Sequence, residues 1–332
     1  VYRRNHVSLI KKAARLLIPA LLLAALLSCA EKKPEETVKE TVKETLVTET
    51  AAAKSSSRET ETTEAEPETT EEETLPQSEE ELSDVMITLD PNWEFASCSV
   101  IHSGEARLQR AKENRKNIII GVNAGHGTEG GASVYTQCHP DGSPKVTGGT
   151  TAAGAVTAMA VSTGMTFYDG TPERDVTLRE ARILRDLLLA AGYDVLMIRD
   201  SEDVQLDNVA RTVICSNIAD CHIAIHWNGD GLDYDPGCFC STVPESLRGM
   251  YPVSGIWQED DRLSGALIEG LRSVGAPILD SGLRSLDLTQ TSYSTIPSVD
   301  VELGNGASDH SDEALRLRAE GLLAGINLFF GQ

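Results

Sequence analysis

The chain has 332 residues and sets 51 acidic side chains against 29 basic ones, a formal net charge of −22. A surface this acidic repels phosphate, and nucleic acid is therefore excluded as a partner. The charge divides as +5 over residues 1–30 and −12 over 31–84, which leaves −15 on residues 85–332, a stretch suited to one large domain.

The chain opens with Arg3, Arg4, Lys11, Lys12 and Arg15, followed by an apolar run over 16–27 that only Pro19 interrupts. Twelve apolar residues fall short of the roughly 20 needed to span a bilayer, so residues 1–28 read as an export signal rather than a permanent span. Leu26-Leu-Ser-Cys29 resembles the lipobox of bacterial lipoproteins. That resemblance makes Cys29 the expected lipidation site and places the protein outside the cytoplasm, lipid-anchored to the outer face of the cell membrane. Residues 31–84 hold 18 acidic and 6 basic residues with 11 threonines and no aromatic residue, so 29–84 is expected to be a disordered acidic tether. Its r.m.s. reach as a flexible chain is roughly 40 Å.

An N-terminal extension is expected over 85–116, and the domain proper over 117–332. A β-branched run, Asn117-Ile-Ile-Ile-Gly-Val-Asn-Ala-Gly-His126, reads as a buried strand that delivers His126 to the sheet edge. Residues 128–172 are rich in Gly, Ala and Thr and read as a long insert loop with one short helix. Helical spacing over 176–191 and a strand over 193–198 complete a β-α-β unit, which favours a parallel sheet. Further helices are expected over 206–218 and 261–274, strands over 222–226 and 298–302, and a final helix over 311–328 capped by Ser308 or Ser311. The fold class is α/β, a single domain whose mixed, mostly parallel central sheet is flanked by helices on both faces.

His126, Glu173, His226 and Glu302 fall at strand ends or at a helix start, positions that share one rim of an α/β domain. Two histidines and a carboxylate leave an open position on a zinc ion, with Glu302 as proton carrier. His222 and His226 are four apart, but on a strand that spacing is about 13 Å. His226 is therefore assigned to the metal, and His222 either to packing or to support of the ligands from behind. Asp300 shares the strand face of Glu302 and either orients a ligand imidazole or is a structural carboxylate.

Six segments in order resemble the zinc-dependent N-acetylmuramoyl-L-alanine amidases. They are Ile118-Ile-Ile-Gly-Val-Asn-Ala-Gly-His-Gly127, Pro172-Glu-Arg-Asp-Val-Thr-Leu178, Gly192-Tyr-Asp-Val-Leu-Met-Ile-Arg-Asp-Ser-Glu-Asp203, Arg211 with Ser216-Asn217, Ile223-Ala-Ile-His-Trp-Asn228 and Pro297-Ser-Val-Asp-Val-Glu-Leu-Gly304. The resemblance implies one zinc ion held by His126, Glu173 and His226, and Glu302 as the catalytic residue. It implies peptidoglycan as the substrate, cut at the amide between the lactyl group of N-acetylmuramic acid and L-alanine of the stem peptide. The chain departs from the family pattern at Asn123-Ala124, Thr128, Trp227 and the segment after Glu302. Two alternatives stand beside it: a catalytically impaired peptidoglycan-binding lipoprotein, and a zinc peptidase cutting within the stem peptide. A monomer is expected. Cys98, Cys138, Cys215, Cys221, Cys238 and Cys240 are left as disulfides or buried thiols. His139 is expected at the surface, and Trp257 and Tyr293 in the core or against a ligand.

Overall fold

The computed structural model describes residues 83–332, so the expected signal segment, Cys29 and the tether up to residue 82 lie outside the described residues. In chain order the elements are β1 (Val85–Ile87), β2 (Ala106–Gln109), β3 (Ile119–Ala124), β4 (Tyr135–Gln137), β5 (Thr157–Met159), α1 (Glu173–Ala190), β6 (Asp194–Met197), α2 (Asn208–Ile218), β7 (Cys221–Asn228), β8 (Cys238–Thr242), α3 (Trp257–Ser273), β9 (Ile278–Ser285), α4 (Thr289–Ser292), β10 (Ser298–Asn305) and α5 (Asp312–Phe330). Eight strands form one mixed sheet in the order β1-β2-β6-β3-β7-β10-β8-β9, whose centre, β6-β3-β7-β10, is parallel throughout. The α/β class with a mostly parallel sheet is thus the observed one. Among the described residues no helix is long and apolar enough to cross a membrane.

The central strands are covered on both sides; β3 and β6 read as largely apolar runs, while β7 and β10 mix polar with apolar positions. Their side chains nonetheless divide by parity. Ile120, Val122, Ile223, Ile225, Val299, Val301 and Leu303 enter the large core beneath α1, α3 and α5. Leu196, Ile198, Ala210 and Ile214 build a smaller core beneath α2 on the other face. Helix α5 packs against both α1 and α3. It comes so close to α3 that a Cβ on Gly270 would fall onto the backbone of Gly321 and Gly325. Two side-chain caps fix helix starts: Asp207 accepts from Ala210 N at 2.8 Å before α2, and Ser311 accepts from Ala314 N before α5.

Three expectations change. Segment 85–116, read as an extension, supplies β1 and β2 to the same sheet. The insert holds no α-helix; β4 and β5 pair as an antiparallel hairpin, with a single 3-10 turn over Gly131–Ser133. His139 is buried rather than at the surface, because it meets a carboxylate: its Nε2 lies 2.8 Å from Asp287 Oδ1 and its Nδ1 2.8 Å from Ser143 Oγ. Asp287 also accepts from Val146 N at 2.6 Å, and Lys145 Nζ donates to its backbone oxygen. The insert is therefore tied to the segment ahead of α4. All six cysteines of the described residues are free thiols, and Tyr293 is buried in the core.

Candidate functional site

Strand β3 ends at Ala124, and the chain turns through Gly125 with His126 in a left-handed conformation, φ 65°. A non-glycine residue there is uncommon and persists only where the surroundings enforce it. Two buried arginines do so. Arg211, from α2, donates to Asn123 Oδ1 (3.1 Å), Ala124 O (3.1 Å), His126 O (2.7 Å) and Thr128 Oγ1 (2.8 Å). Arg199 donates to Ala124 O (3.2 Å), Gly125 O (3.0 Å) and Arg174 O (2.8 Å). Burial is the main cause that lowers their guanidinium pKa values, to about 9 for Arg211 and about 10 for Arg199. The residues that set this chain apart from the family pattern thus have local work. Asn123 and Thr128 each accept from Arg211, and Thr128 Oγ1 lies 2.9 Å from Val204 O.

Glu173 is the first residue of α1, and its carboxylate is fixed by two backbone amides, Met165 N at 2.7 Å on Oε2 and Trp227 N at 2.9 Å on Oε1. The other ligand candidates close on it. His126 Nε2 lies 2.9 Å from Glu173 Oε1 and 3.0 Å from His226 Nδ1, and His226 Nδ1 lies 3.3 Å from Glu173 Oε1. His126 Nδ1 faces Ser162 O at 2.9 Å; a carbonyl only accepts, so Nδ1 carries the proton and Nε2 presents its lone pair. Gly125 and Gly164 give the rings room. A Cβ on Gly125 would enter the His226 ring, and one on Gly164 would lie 2.7 Å from His126 Cδ2 and 2.9 Å from Glu173 Oε2.

Three electron-pair donors thus converge at one point, the one group among the described residues that could hold a metal ion. Ligand atoms about 2.0–2.1 Å from a tetrahedral zinc lie about 3.3 Å apart, close to the observed separations. Charge makes the same demand for a cation. Burial alone would lower the His226 pKa, yet Asp300 first and then Glu173 push it up to about 10. Burial alone would raise Glu173, but His126 and then His226 hold it far below the usual carboxylate range.

Glu302 reaches the group through strand register: β10 and β7 run parallel with Glu302 beside His226 and Ser298 beside His222. Its Oε2 is buried and has no hydrogen-bond partner among the described residues, and burial, then the neighbouring Asp300, raises its pKa well above the carboxylate norm. Asp300 Oδ2 accepts from Gln290 Nε2 at 2.5 Å and lies 3.7 Å from His226 Nε2, so it faces the ring nitrogen that points away from the group. His222 is buried between Asn123 Nδ2 (3.2 Å) and Ser298 Oγ (3.1 Å), outside the group, as expected. A cleft of about 590 Å³ opens over these residues, walled by insert residues 147–151, by 162–165 and by 286–290. The sequence reading missed Ser162 and Met165, which act through backbone atoms and leave no mark in residue type. Arg199 and Gln290 were also passed over; a buried Arg after a strand was the available signal for the first.

An α/β domain with a His-Glu-His group and an unpartnered glutamate at the carboxyl ends of parallel strands defines a hydrolase scaffold with a metal-ready centre. Residues 120–321 match the family model for N-acetylmuramoyl-L-alanine amidase (Amidase_3), and the chain belongs to that family. Among solved structures, it is similar to the N-acetylmuramyl-L-alanine amidase Ami1 from Mycobacterium smegmatis, with 19% identity over 66% of this chain and 99% of that one and a TM-score of 0.55. It is also similar to Ami1 from Mycobacterium abscessus, with 22% identity over 64% of this chain and 99% of that one and a TM-score of 0.51. At these identities the likeness concerns the fold. A search of curated proteins returns no match.

Proposed function

We propose that this protein is a zinc-dependent peptidoglycan amidase that hydrolyses the bond between the lactyl group of N-acetylmuramic acid and L-alanine of the stem peptide. The observation that carries the reading is the convergence of His126, Glu173 and His226 beside the buried, unpartnered Oε2 of Glu302. His126 Nε2, Glu173 Oε1 and His226 Nδ1 would hold the ion. Bound there, zinc would supply Lewis-acid polarisation of the scissile carbonyl and acidify a water molecule. Glu302 Oε2 takes the proton from the attacking water and returns it to the leaving L-alanine nitrogen; an elevated pKa suits a group that must both accept and donate. Ser162 O keeps the His126 proton on Nδ1, and Asp300 faces His226 Nε2, so both rings present one nitrogen inward. The substrate is extracytoplasmic. Attachment through Cys29 and the acidic tether would let a membrane-anchored monomer reach into the wall.

Digestion of purified peptidoglycan tests this. New free L-alanine amines, intact muramoyl lactyl groups, about one zinc per chain and a loss of at least about 100-fold in turnover with zinc retained in Glu302→Gln are expected, the scale of a lost general base. Cleavage between two stem-peptide residues would point to a peptidase instead. Retained zinc without turnover, in wild type and variant alike, would leave a wall-binding protein.

A further inference from the structure

Across the sheet from Glu302, on the same face, the cleft contains an uncompensated positive charge. Glu302 pairs with Phe239 in the antiparallel β10-β8 ladder, and β8 in turn pairs with β9, where Ser241 lies opposite Arg284. Directly opposed residues share a sheet face, as do residues two apart, which sets Glu302, Phe239 and Arg284 along one surface. All three line the 590 Å³ cleft. The Arg284 guanidinium lies over the Phe239 ring, 4.8 Å from its centroid. Stacking of this kind orients the planar group and leaves its N–H edges free.

The cleft is otherwise acidic, with Glu173, Asp287, Asp300 and Glu302 on its walls. It has one other cation, Lys145, which is committed: its Nζ donates to Asp287 O and lies 3.7 Å from Asp287 Oδ1. The Arg284 side chain is exposed, and among the described residues its guanidinium has no hydrogen-bond or ion-pair partner. It is the element of the cleft that favours an anion.

We infer that Arg284, held against Phe239, is a specificity-determining residue that binds a free carboxylate of the stem peptide. The inference rests on the amidase reading for the identity of that peptide. Strand β9 is two strand spacings from β10, about 10 Å, and an extended peptide advances about 3.3–3.6 Å per residue. The carboxylate recognised is therefore borne two or three residues beyond the scissile amide. A guanidinium binds a carboxylate through two parallel N–H bonds, which neither a carboxamide nor a lysine at the same place reproduces.

The test uses a muramoyl tripeptide in two forms, with its side-chain and terminal carboxyls free or amidated, and measures binding by calorimetry separately from turnover. Wild type should bind the free acid at least tenfold more tightly. In Arg284→Ala that preference should vanish, through loss of affinity for the free acid, while affinity for the amidated form stays within twofold; Arg284→Lys should restore only part. Equal loss for both forms, no preference in wild type, or binding of neither form overturns the inference. Selective binding without cleavage would leave the Arg284 assignment standing and remove the amidase reading. Cleavage without selectivity would do the reverse.

Discussion

His222 gives the fold a built-in sensitivity to acid that can be worked out from its neighbours. The ring is fully buried, its Nε2 faces the donor Asn123 Nδ2 at 3.2 Å, and its Nδ1 faces Ser298 Oγ at 3.1 Å. One proton, on Nδ1, satisfies both contacts. A second, on Nε2, would point at an amide N–H, because Asn123 Oδ1 already accepts from Arg211. Burial, and after it the Arg211 charge, lowers the pKa from 6.5 to about 3. The unfolded chain takes up this proton near pH 6.5 and the folded one only near 3, so the unfolded state binds more protons in that window. The associated stability is complete above pH 6.5 and drains as pH falls through the window. By linkage the loss is about 2 kcal/mol at pH 5 and about 3 kcal/mol at pH 4. Urea unfolding from pH 8 to pH 4, for wild type and for His222→Gln, isolates this group from the carboxylates common to both. The glutamine variant should lose less stability on acidification by those amounts. Parallel curves for the two proteins would refute the reasoning, since they would mean that His222 titrates alike in both states.

Gly125→Ala should fold, yet its Cβ would enter the His226 ring; zinc affinity by chelator competition should fall about 10- to 100-fold, as for disturbed ligand support, and unchanged affinity would count against the assigned ligand geometry. Arg211→Met strips Asn123 Oδ1 and the His126 carbonyl of their buried donor, so about 3 kcal/mol of stability should be lost in urea titrations, given about 1–3 kcal/mol for each unsatisfied group. Asp287→Ala removes the carboxylate that His139 and Val146 bond and that lies 3.7 Å from Lys145 Nζ. The insert should then be nicked by protease between residues 139 and 151 while far-ultraviolet dichroism is preserved, and resistance equal to wild type would show that something else holds it.

How far the sequence discloses the molecule depends on how local the determining interaction is. Strands β3, β6, β7 and β10 are legible because short apolar or alternating segments bounded by turn residues read as strands, and α1 because its apolar spacing ends at Gly192. Glu173 opens α1 and His126 follows β3, as the sequence reads them, whereas His226 and Glu302 lie two and three residues before the observed ends of β7 and β10. Strands β8 and β9 escape notice. Cys238-Phe-Cys-Ser-Thr242 is short, and β9 is mostly exposed, with Gly282 inside it. Helix α3 begins at Trp257, ahead of the expected 261, because Gln258, Glu259 and Asp260 look like loop until Asp260 is seen to accept from Ser298 N at 2.7 Å. The burial of His139 hangs on a carboxylate 148 positions away, which no window of sequence can reveal.

The parity of β10 has a consequence for how this protein can change. Ser298, Asp300 and Glu302 face the cleft side, while Val299, Val301 and Leu303 face the layer of α1, α3 and α5. Because the two sets pack on opposite faces of the sheet, substitutions in one should couple less to substitutions in the other than to those within their own set. The strand thus lets chemistry be retuned at even positions while odd positions are optimised for thermal endurance, a separation that a directed-evolution campaign could use by randomising the two sets in independent libraries.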